Sequence, residues 1–316
     1  MSAPERPPEP PAARPIAPPP GVDRSGERLF PFLPDGIFAG RSALVTGGGT
    51  GLGLAVSTRL GRLGARVACA SRDPRRHERL IQTGSEEGFE VLSFACDVRD
   101  PHAVRRAVRA TVTAFGGLDV LVNNAAGNFV RPALALAPKA FASVIDVALN
   151  GVFYVSREAA LVMRERGGGA IVNVSAPYAR DGKPGVVHSA CAKAGVETMT
   201  RTLAAEWAPH GIRVNAVSPG PFASRGAADR LWPSIEHEEE VRRKIPSGRF
   251  GAPEEIAELV CFLASPAAGW IMGAVLLADG GFSLPAPLLE GATERGIARR
   301  RGAADAAGKP EEPAGG

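Results

Sequence analysis

Hydrophobic positions along this chain fall into two alternating kinds of segment. Short, near-continuous apolar runs cover Ser42–Thr46, Ala65–Ala70, Glu90–Ala95, Asp119–Asn123, Ala170–Ser175, Arg213–Val217 and Ala274–Ala278. Runs of that length predict seven strands covered on both faces. Between them the apolar positions recur at helical spacing, predicting helices over Leu52–Leu63, Pro101–Phe115, Pro138–Arg166, Ser189–Ala208 and Pro253–Ala264. The last opens with Pro253, Glu254 and Glu255, which suit a helix start by fixed φ and by charge. Strands alternating with helices imply right-handed crossovers and a doubly wound parallel seven-stranded sheet in a single α/β domain. Ligands of such sheets sit beyond the carboxyl ends of the strands.

Both ends break the pattern. Residues 1–35 are Pro-rich, and residues 285–316 are dominated by Gly, Ala, Arg and Glu without an apolar period. Neither buries enough apolar surface to offset roughly 1–2 kcal/mol per residue of backbone ordering. Disordered tails are therefore expected on either side of a domain at 36–284, with a short apolar patch, Leu29 to Phe38, packing onto it. The net charge of +4 and pI near 9.1 invite a nucleic-acid partner. However, Lys and Arg are interspersed among 33 acidic residues, and the densest run, Arg299 to Arg301, lies in the tail. A solvated surface is expected, and no nucleic acid. No run of about 18 apolar residues predicts a membrane span. The N-terminus lacks an apolar signal region, and Glu5, Glu9 and Asp23 argue against an organellar presequence. Cys69, Cys96, Cys191 and Cys261 have no CxxC spacing and sit in apolar segments. They read as buried free thiols of a cytoplasmic protein with no metal site.

Chemistry concentrates at the predicted strand ends. The first strand runs into Thr46-Gly47-Gly48-Gly49-Thr50-Gly51-Leu52-Gly53 and then a helix. Glycines let backbone approach a pyrophosphate, and the helix N-terminus offers it unpaired N–H groups, which makes the fold Rossmann-type. The second strand ends in Ser71 and Arg72, with Arg75 and Arg76 close behind. A hydroxyl and a guanidinium suit the 2′-phosphate of NADPH, whereas a carboxylate would suit NADH. Asp73 precedes Pro74 and is better placed to begin a helix than to bind ribose. Asp97 and Val98 end the third strand, where the carboxylate can accept from an adenine amino group or cap the helix before Pro101. Asn123-Asn124-Ala125-Ala126-Gly127 ends the fourth, small enough for the chain to pass under a bound ring.

Taken with Asn150, Lys193, Pro219-Gly220 and Asp279-Gly280-Gly281, these segments resemble the short-chain dehydrogenase/reductase family over residues 36–284. Most members carry Tyr-x-x-x-Lys, but here Ser189 stands four residues before Lys193, and a tyrosine, Tyr178, appears fifteen residues before it. That displacement, with Asn123–Phe129, Ala192–Glu197, Leu203–Trp207 and Pro219-Gly220-Pro221, is similar to 2,4-dienoyl-CoA reductases of the mitochondrial type. The resemblance implies an acyl-CoA substrate, catalysis by Tyr178, Asn128, Lys193 and Ser189, and substrate contacts from Arg99, Asn128, Phe129 and Arg230. It places the dinucleotide against residues 47–53, Ser71, Arg72, Asp97, Val98, Asn124, Ala125, Lys193, Pro219, Gly220, Pro221 and Phe222. Ala137 departs from the mitochondrial type, which has a polar residue near the CoA, so that contact is lost. A homotetramer built through the two long helices is also implied.

In the implied reaction Tyr178 and Asn128 hydrogen-bond a thioester oxygen that becomes anionic, so no acid is needed at Ser189. The other readings on the same scaffold are a 2-enoyl-CoA reductase, another acyl-CoA-active relative, or an NADPH-binding protein without catalysis. The second tyrosine, Tyr154, falls mid-helix and is expected to pack. Asn150 is unfavourable inside a helix unless it bridges backbone through water at the site. His188 flanks a helix start and is expected to be structural.

Overall fold

The computed structural model describes residues 33–223 and 235–285. The unit ending at Phe282 holds one parallel sheet. Its strands are β1 (Ser42–Thr46), β2 (Arg66–Ser71), β3 (Val91–Ala95), β4 (Val120–Asn123), β5 (Gly169–Val174), β6 (Ile212–Pro219) and β7 (Val275–Ala278). Each lies within two residues of its predicted bounds. Spatial order is β3-β2-β1-β4-β5-β6-β7, so the winding reverses between β1 and β4. In that pair Thr46 stands opposite Asn123, which opens the ligand crevice at their carboxyl ends.

Nine helices are described: α1 (Gly51–Arg62), α2 (Glu78–Glu87), α3 (Pro101–Phe115), α4 (Pro138–Ile145), α5 (Gly151–Glu165), α6 (Tyr178–Asp181), α7 (Val187–Trp207), α8 (Ile235–Lys244) and α9 (Pro253–Ala264). One face of the sheet is covered by α1 and α9, where Leu52, Val56 and Leu60 join Ile256 and Val260 in one core. The other is covered by α3, α5 and α7 through Val104, Val108, Val155, Ala159 and Leu203. The central strands β1 and β4 are buried at every position, as their unbroken apolar runs require. Leu33 and Phe38 of the early apolar patch are buried in the α1–α9 core, and residues 29–32 lie outside the described residues.

Four expectations need correction. The predicted helix over 138–166 is interrupted: Asp146–Asn150 forms a single π turn between α4 and α5. The π turn inserts a residue without ending the helix, so hydrophobic periodicity does not reveal it. A helix does begin after Asp73, but no apolar period marks the extent of α2, which buries only Leu80 and Gly84, and α6 and α8 carry no expectation at all. Cys191 is exposed, while the other three thiols are buried. Finally, the 28-residue stretch Pro138–Glu165 is long and apolar enough to cross a membrane by length and composition. Here its Val152, Val155, Ala159 and Met163 are buried, with Val155, Ala159 and Met163 in the α3–α5–α7 core.

Candidate active site

At the switch point the turn after β1 is shaped by Gly47 and Gly51, whose φ angles of +66° and +51° favour glycine. A side chain at Gly53 would collide with the Gly47 carbonyl, so α1 can start tight against the turn only because position 53 has no Cβ. The Thr50 side chain makes no cap to α1, and the first N–H groups of the helix have no intrahelical acceptor. Thr46 ties this turn to the end of β4. Its Oγ1 accepts from Asn124 N and Ala125 N, each at 3.0 Å, and Asn124 Nδ2 donates to Thr46 O at 3.0 Å and Gly47 O at 3.2 Å.

A cavity of about 590 Å3 opens over these groups, a volume typical of small-ligand sites. Gly47, Gly49 and Thr50 wall one part, Ser71, Arg72, Asp73 and Arg76 another, Asp97 to Arg99 and Asn124 to Phe129 a third, and Ala70, Cys96, Ser143, Val144 and Val147 complete it. The glycine cradle, the free helix end and the exposed cations fit a dinucleotide. Gly48, Leu52 and Gly53 are buried under the turn rather than in the wall, and a Cβ on Gly48 would meet Ser57 Oγ and Cys69 Sγ. Asp73 accepts from Arg75 N at 3.2 Å, capping the 3-10 turn Pro74–His77, and pairs with the Arg75 guanidinium at 2.9 Å. Helix initiation is thus its role in the fold. Asp97 is gripped by Arg99, with Nη2 to Oδ2 at 2.6 Å, and that hydrogen bond holds its carboxyl below the usual range. An anionic substrate group reaching Arg99 would have to share it with Asp97.

Beyond the cavity, strand β5 delivers Tyr178 at the start of α6, and α7 presents Ser189 and Lys193 one turn apart on one face. Asn128 Nδ2 donates to the Tyr178 oxygen at 3.2 Å, and that oxygen is 3.0 Å from Ser189 Oγ. The Asn128 carboxamide is oriented by Phe129 N, which donates to its Oδ1 at 2.9 Å. Phe129 in turn stacks on buried His188 at a centroid distance of 4.4 Å. Burial pushes the Tyr178 phenol up against the opposing bonds from Ser189 and Asn128, so it stays protonated. Lys193 is buried, donates to Val174 O at 2.6 Å, and is pushed down to about 8 by desolvation.

A buried amide chain links the elements that carry these groups. Asn123 Nδ2 donates to Ser156 Oγ and to Asn173 Oδ1, both at 2.8 Å, and Asn173 Nδ2 donates to Thr200 Oγ1 at 2.9 Å. It ties β4, β5, α5 and α7 together directly under the strand ends. Asn150, in the π turn, donates to Asp146 Oδ1 at 3.0 Å. Pro219 closes β6, Gly220 passes against Asp279, and Phe222 makes a parallel bridge with Gly251. The structure therefore brings Tyr178, Asn128 and Ser189 together, with Lys193 one turn away. Arg230 lies outside the described residues. Sequence reasoning missed Thr46, as well as His77 and Ser93 beneath Ser71. Thr46 stands in the glycine motif, but its tie to Asn124 and Ala125 follows only from the register of β1 with β4, and His77 and Ser93 carry no motif.

Residues 47–283 match the family described as Enoyl-(Acyl carrier protein) reductase. A probable 2,4-dienoyl-CoA reductase 3, (3E)-enoyl-CoA-producing, of Caenorhabditis elegans is 42% identical over 259 residues, covering 79% of this chain and 83% of that protein. A probable 2,4-dienoyl-CoA reductase, (2E)-enoyl-CoA-producing, of Bacillus subtilis (strain 168) is 43% identical over 246 residues, covering 76% and 96%. Among solved structures, a gluconate 5-dehydrogenase from Burkholderia cenocepacia J2315 in complex with NADP and tartrate superposes with a TM-score of 0.75. It is 30% identical and covers 80% of this chain and 99% of its own.

Proposed function

The chain belongs to the short-chain dehydrogenase/reductase family of oxidoreductases, and on that premise we propose that it is an NADPH-dependent 2,4-dienoyl-CoA reductase of unsaturated-acyl β-oxidation. The meeting of Tyr178, Asn128 and Ser189 on one phenol oxygen carries this reading. Because Asn128 donates to that oxygen, the phenol hydrogen is left for Ser189 or for an acyl oxygen entering the same space. A conjugated dienoyl thioester needs such donors, since its oxygen becomes anionic as electron density moves through the diene. When bound, the reduced nicotinamide supplies a hydride to the δ-carbon. Tyr178 and Asn128 hold the resulting dienolate oxygen, and protonation at the α-carbon leaves a 3-enoyl-CoA. Ser189 suffices beside Lys193 because no alkoxide needs a strong acid. Lys193 keeps two further N–H donors for the nicotinamide riboside. Ser71, Arg72 and Arg76 suit the 2′-phosphate, and the NADP in the superposed dehydrogenase supports that choice. Arg99 and Phe129, which line the same cavity, are the residues assigned to the acyl-CoA.

The test is a substrate panel on the purified full chain with NADPH and NADH. Consumption of 2,4-hexadienoyl-CoA with NADPH, giving the 3-enoyl product by NMR, is expected. Reduction of 2-enoyl-CoA alone would replace this reading with the enoyl reductase, and tight NADPH binding without turnover on any acyl-CoA would replace it with a scaffold. A 2-enoyl product would move protonation to the γ-carbon, in line with the name of the Bacillus subtilis relative. We further assign a homotetramer in the cytoplasm. In support, the α4–α5 stretch leaves Phe153 41% exposed, a large apolar side chain for another subunit to cover. Sedimentation of the full chain as a monomer would remove that assembly.

A further inference from the structure

His77 is fully buried, yet both its ring nitrogens are engaged by serines. Nε2 lies 2.6 Å from Ser71 Oγ, and Nδ1 lies 2.6 Å from Ser93 Oγ on β3. The ring packs against the phosphate-binding turn, because a Cβ on Gly49 would collide with it and with the Arg76 carbonyl. None of the reactions above uses this histidine. Its first partner, however, is a wall residue of the cavity, which Arg72 and Arg76 also line.

The hydrogen count at Ser71 gives His77 its meaning. The Ser71 hydroxyl has one hydrogen and two lone pairs. It also lies 3.0 Å from Asp73 O, a pure acceptor, to which it donates. His77 Nε2 must then be the donor to Ser71 Oγ, and in the neutral ring Nδ1 accepts from the Ser93 hydroxyl. Burial favours that neutral ring by pushing the imidazole below its usual range. In the opposite tautomer the Ser71 hydrogen would be held on Nε2, and Ser71 could only accept from a ligand. A hydroxyl that only accepts suits a ribose 2′-OH. A hydroxyl that can swing its hydrogen from Asp73 O to a ligand suits a phosphate, exchanging a neutral hydrogen bond for a charge-assisted one about twice as strong.

We propose that His77, fixed in the Nε2–H tautomer by Ser93, is a positioning residue that frees the Ser71 hydroxyl to donate to the cofactor 2′-phosphate and so sets the preference for NADPH over NADH. This rests on the NADPH reading above. It locates part of the selectivity in a buried side chain that touches no cofactor atom.

The test measures dissociation constants of NADPH and NADH, by quenching of protein fluorescence, for the full chain and for His77→Leu, His77→Gln and Ser93→Ala. Loss of one hydrogen bond to a charged group is worth about tenfold. His77→Leu removes the N–H that holds Ser71 Oγ in place at the wall, and by that loss of positioning should cut the NADPH-over-NADH ratio by about tenfold with little change for NADH. His77→Gln, which restores an N–H toward Ser71, should return the ratio to within about threefold of the unaltered protein. Ser93→Ala, which releases the tautomer while leaving the ring in place, should lower the ratio by roughly threefold, and it keeps the test alive if the leucine variant does not fold. An unchanged ratio in His77→Leu and Ser93→Ala would overturn the role of His77 while leaving the NADPH reading intact. An unaltered protein that prefers NADH would overturn the cofactor reading, and this inference with it.

Discussion

Replacing Tyr178 with phenylalanine isolates one oxygen. Phenylalanine keeps the ring and the α6 turn but deletes the atom that receives Asn128 Nδ2 at 3.2 Å and meets Ser189 Oγ at 3.0 Å. Asn128 should stay aimed, because the bond from Phe129 N to its Oδ1 at 2.9 Å does not involve the phenol. One of two donors to the thioester oxygen therefore survives, and the loss is that of a single donor. A single oxyanion donor is worth about a hundredfold in turnover, or about 2.7 kcal/mol of transition-state stabilisation. Tyr178 is not in the wall of the dinucleotide cavity, so NADPH affinity should move by no more than about twofold. Steady-state turnover of 2,4-hexadienoyl-CoA at saturating NADPH reads the first quantity, and fluorescence titration reads the second. Turnover in the variant within about threefold of the unaltered protein would refute stabilisation by the phenol. A raised KM at unchanged kcat would instead make Tyr178 a simple binding contact.

Gly53→Ala drives a methyl into the Gly47 carbonyl. Thermal unfolding should show about 1–3 kcal/mol lost, and NADPH titration should show weaker binding because the turn is displaced. Lys193, pushed down to about 8, is charged below that pH and neutral above it. If its charge supports cofactor binding, a pH profile of kcat/KM for NADPH should fall as pH rises through about 8, and a flat profile to pH 9 would remove that role. Asn173→Ala leaves one Asn123 N–H without its acceptor in a buried site. Urea unfolding should report about 1–3 kcal/mol of lost stability.

The sheet was legible because its central strands are buried on both faces, a condition that writes itself as continuous apolar runs at Ser42–Thr46 and Val120–Asn123. The glycine turn was legible because its backbone geometry excludes other residues. The extent of α2 was hidden because a helix lying mostly in solvent needs few apolar positions, although Asp73 marked its start. The displaced Tyr178 could be read only through resemblance, since a lone tyrosine after a strand carries no pattern. Its meeting with Asn128 is a tertiary fact, fifty residues apart along the chain. His77 was invisible for a different reason: its partners Ser71 and Ser93 become neighbours only when β2 and β3 pair in register.

The direction in which burial shifts two groups bears on why serine can stand at position 189. A site that protonates an alkoxide gains from a phenol made more acidic by nearby positive charge. Here burial outweighs the bonds from Ser189 and Asn128 and pushes Tyr178 the other way, while Lys193 is pushed toward losing its charge. Such a phenol donates a hydrogen bond without surrendering its proton, which matches an oxygen that needs stabilising and is never converted to a hydroxyl. Proton delivery is then required at carbon, where neither Tyr178 nor Ser189 has to act. A measured Tyr178 pKa below that of free tyrosine, from ultraviolet or NMR titration of the full chain, would reverse this logic and return the site to ordinary carbonyl reduction.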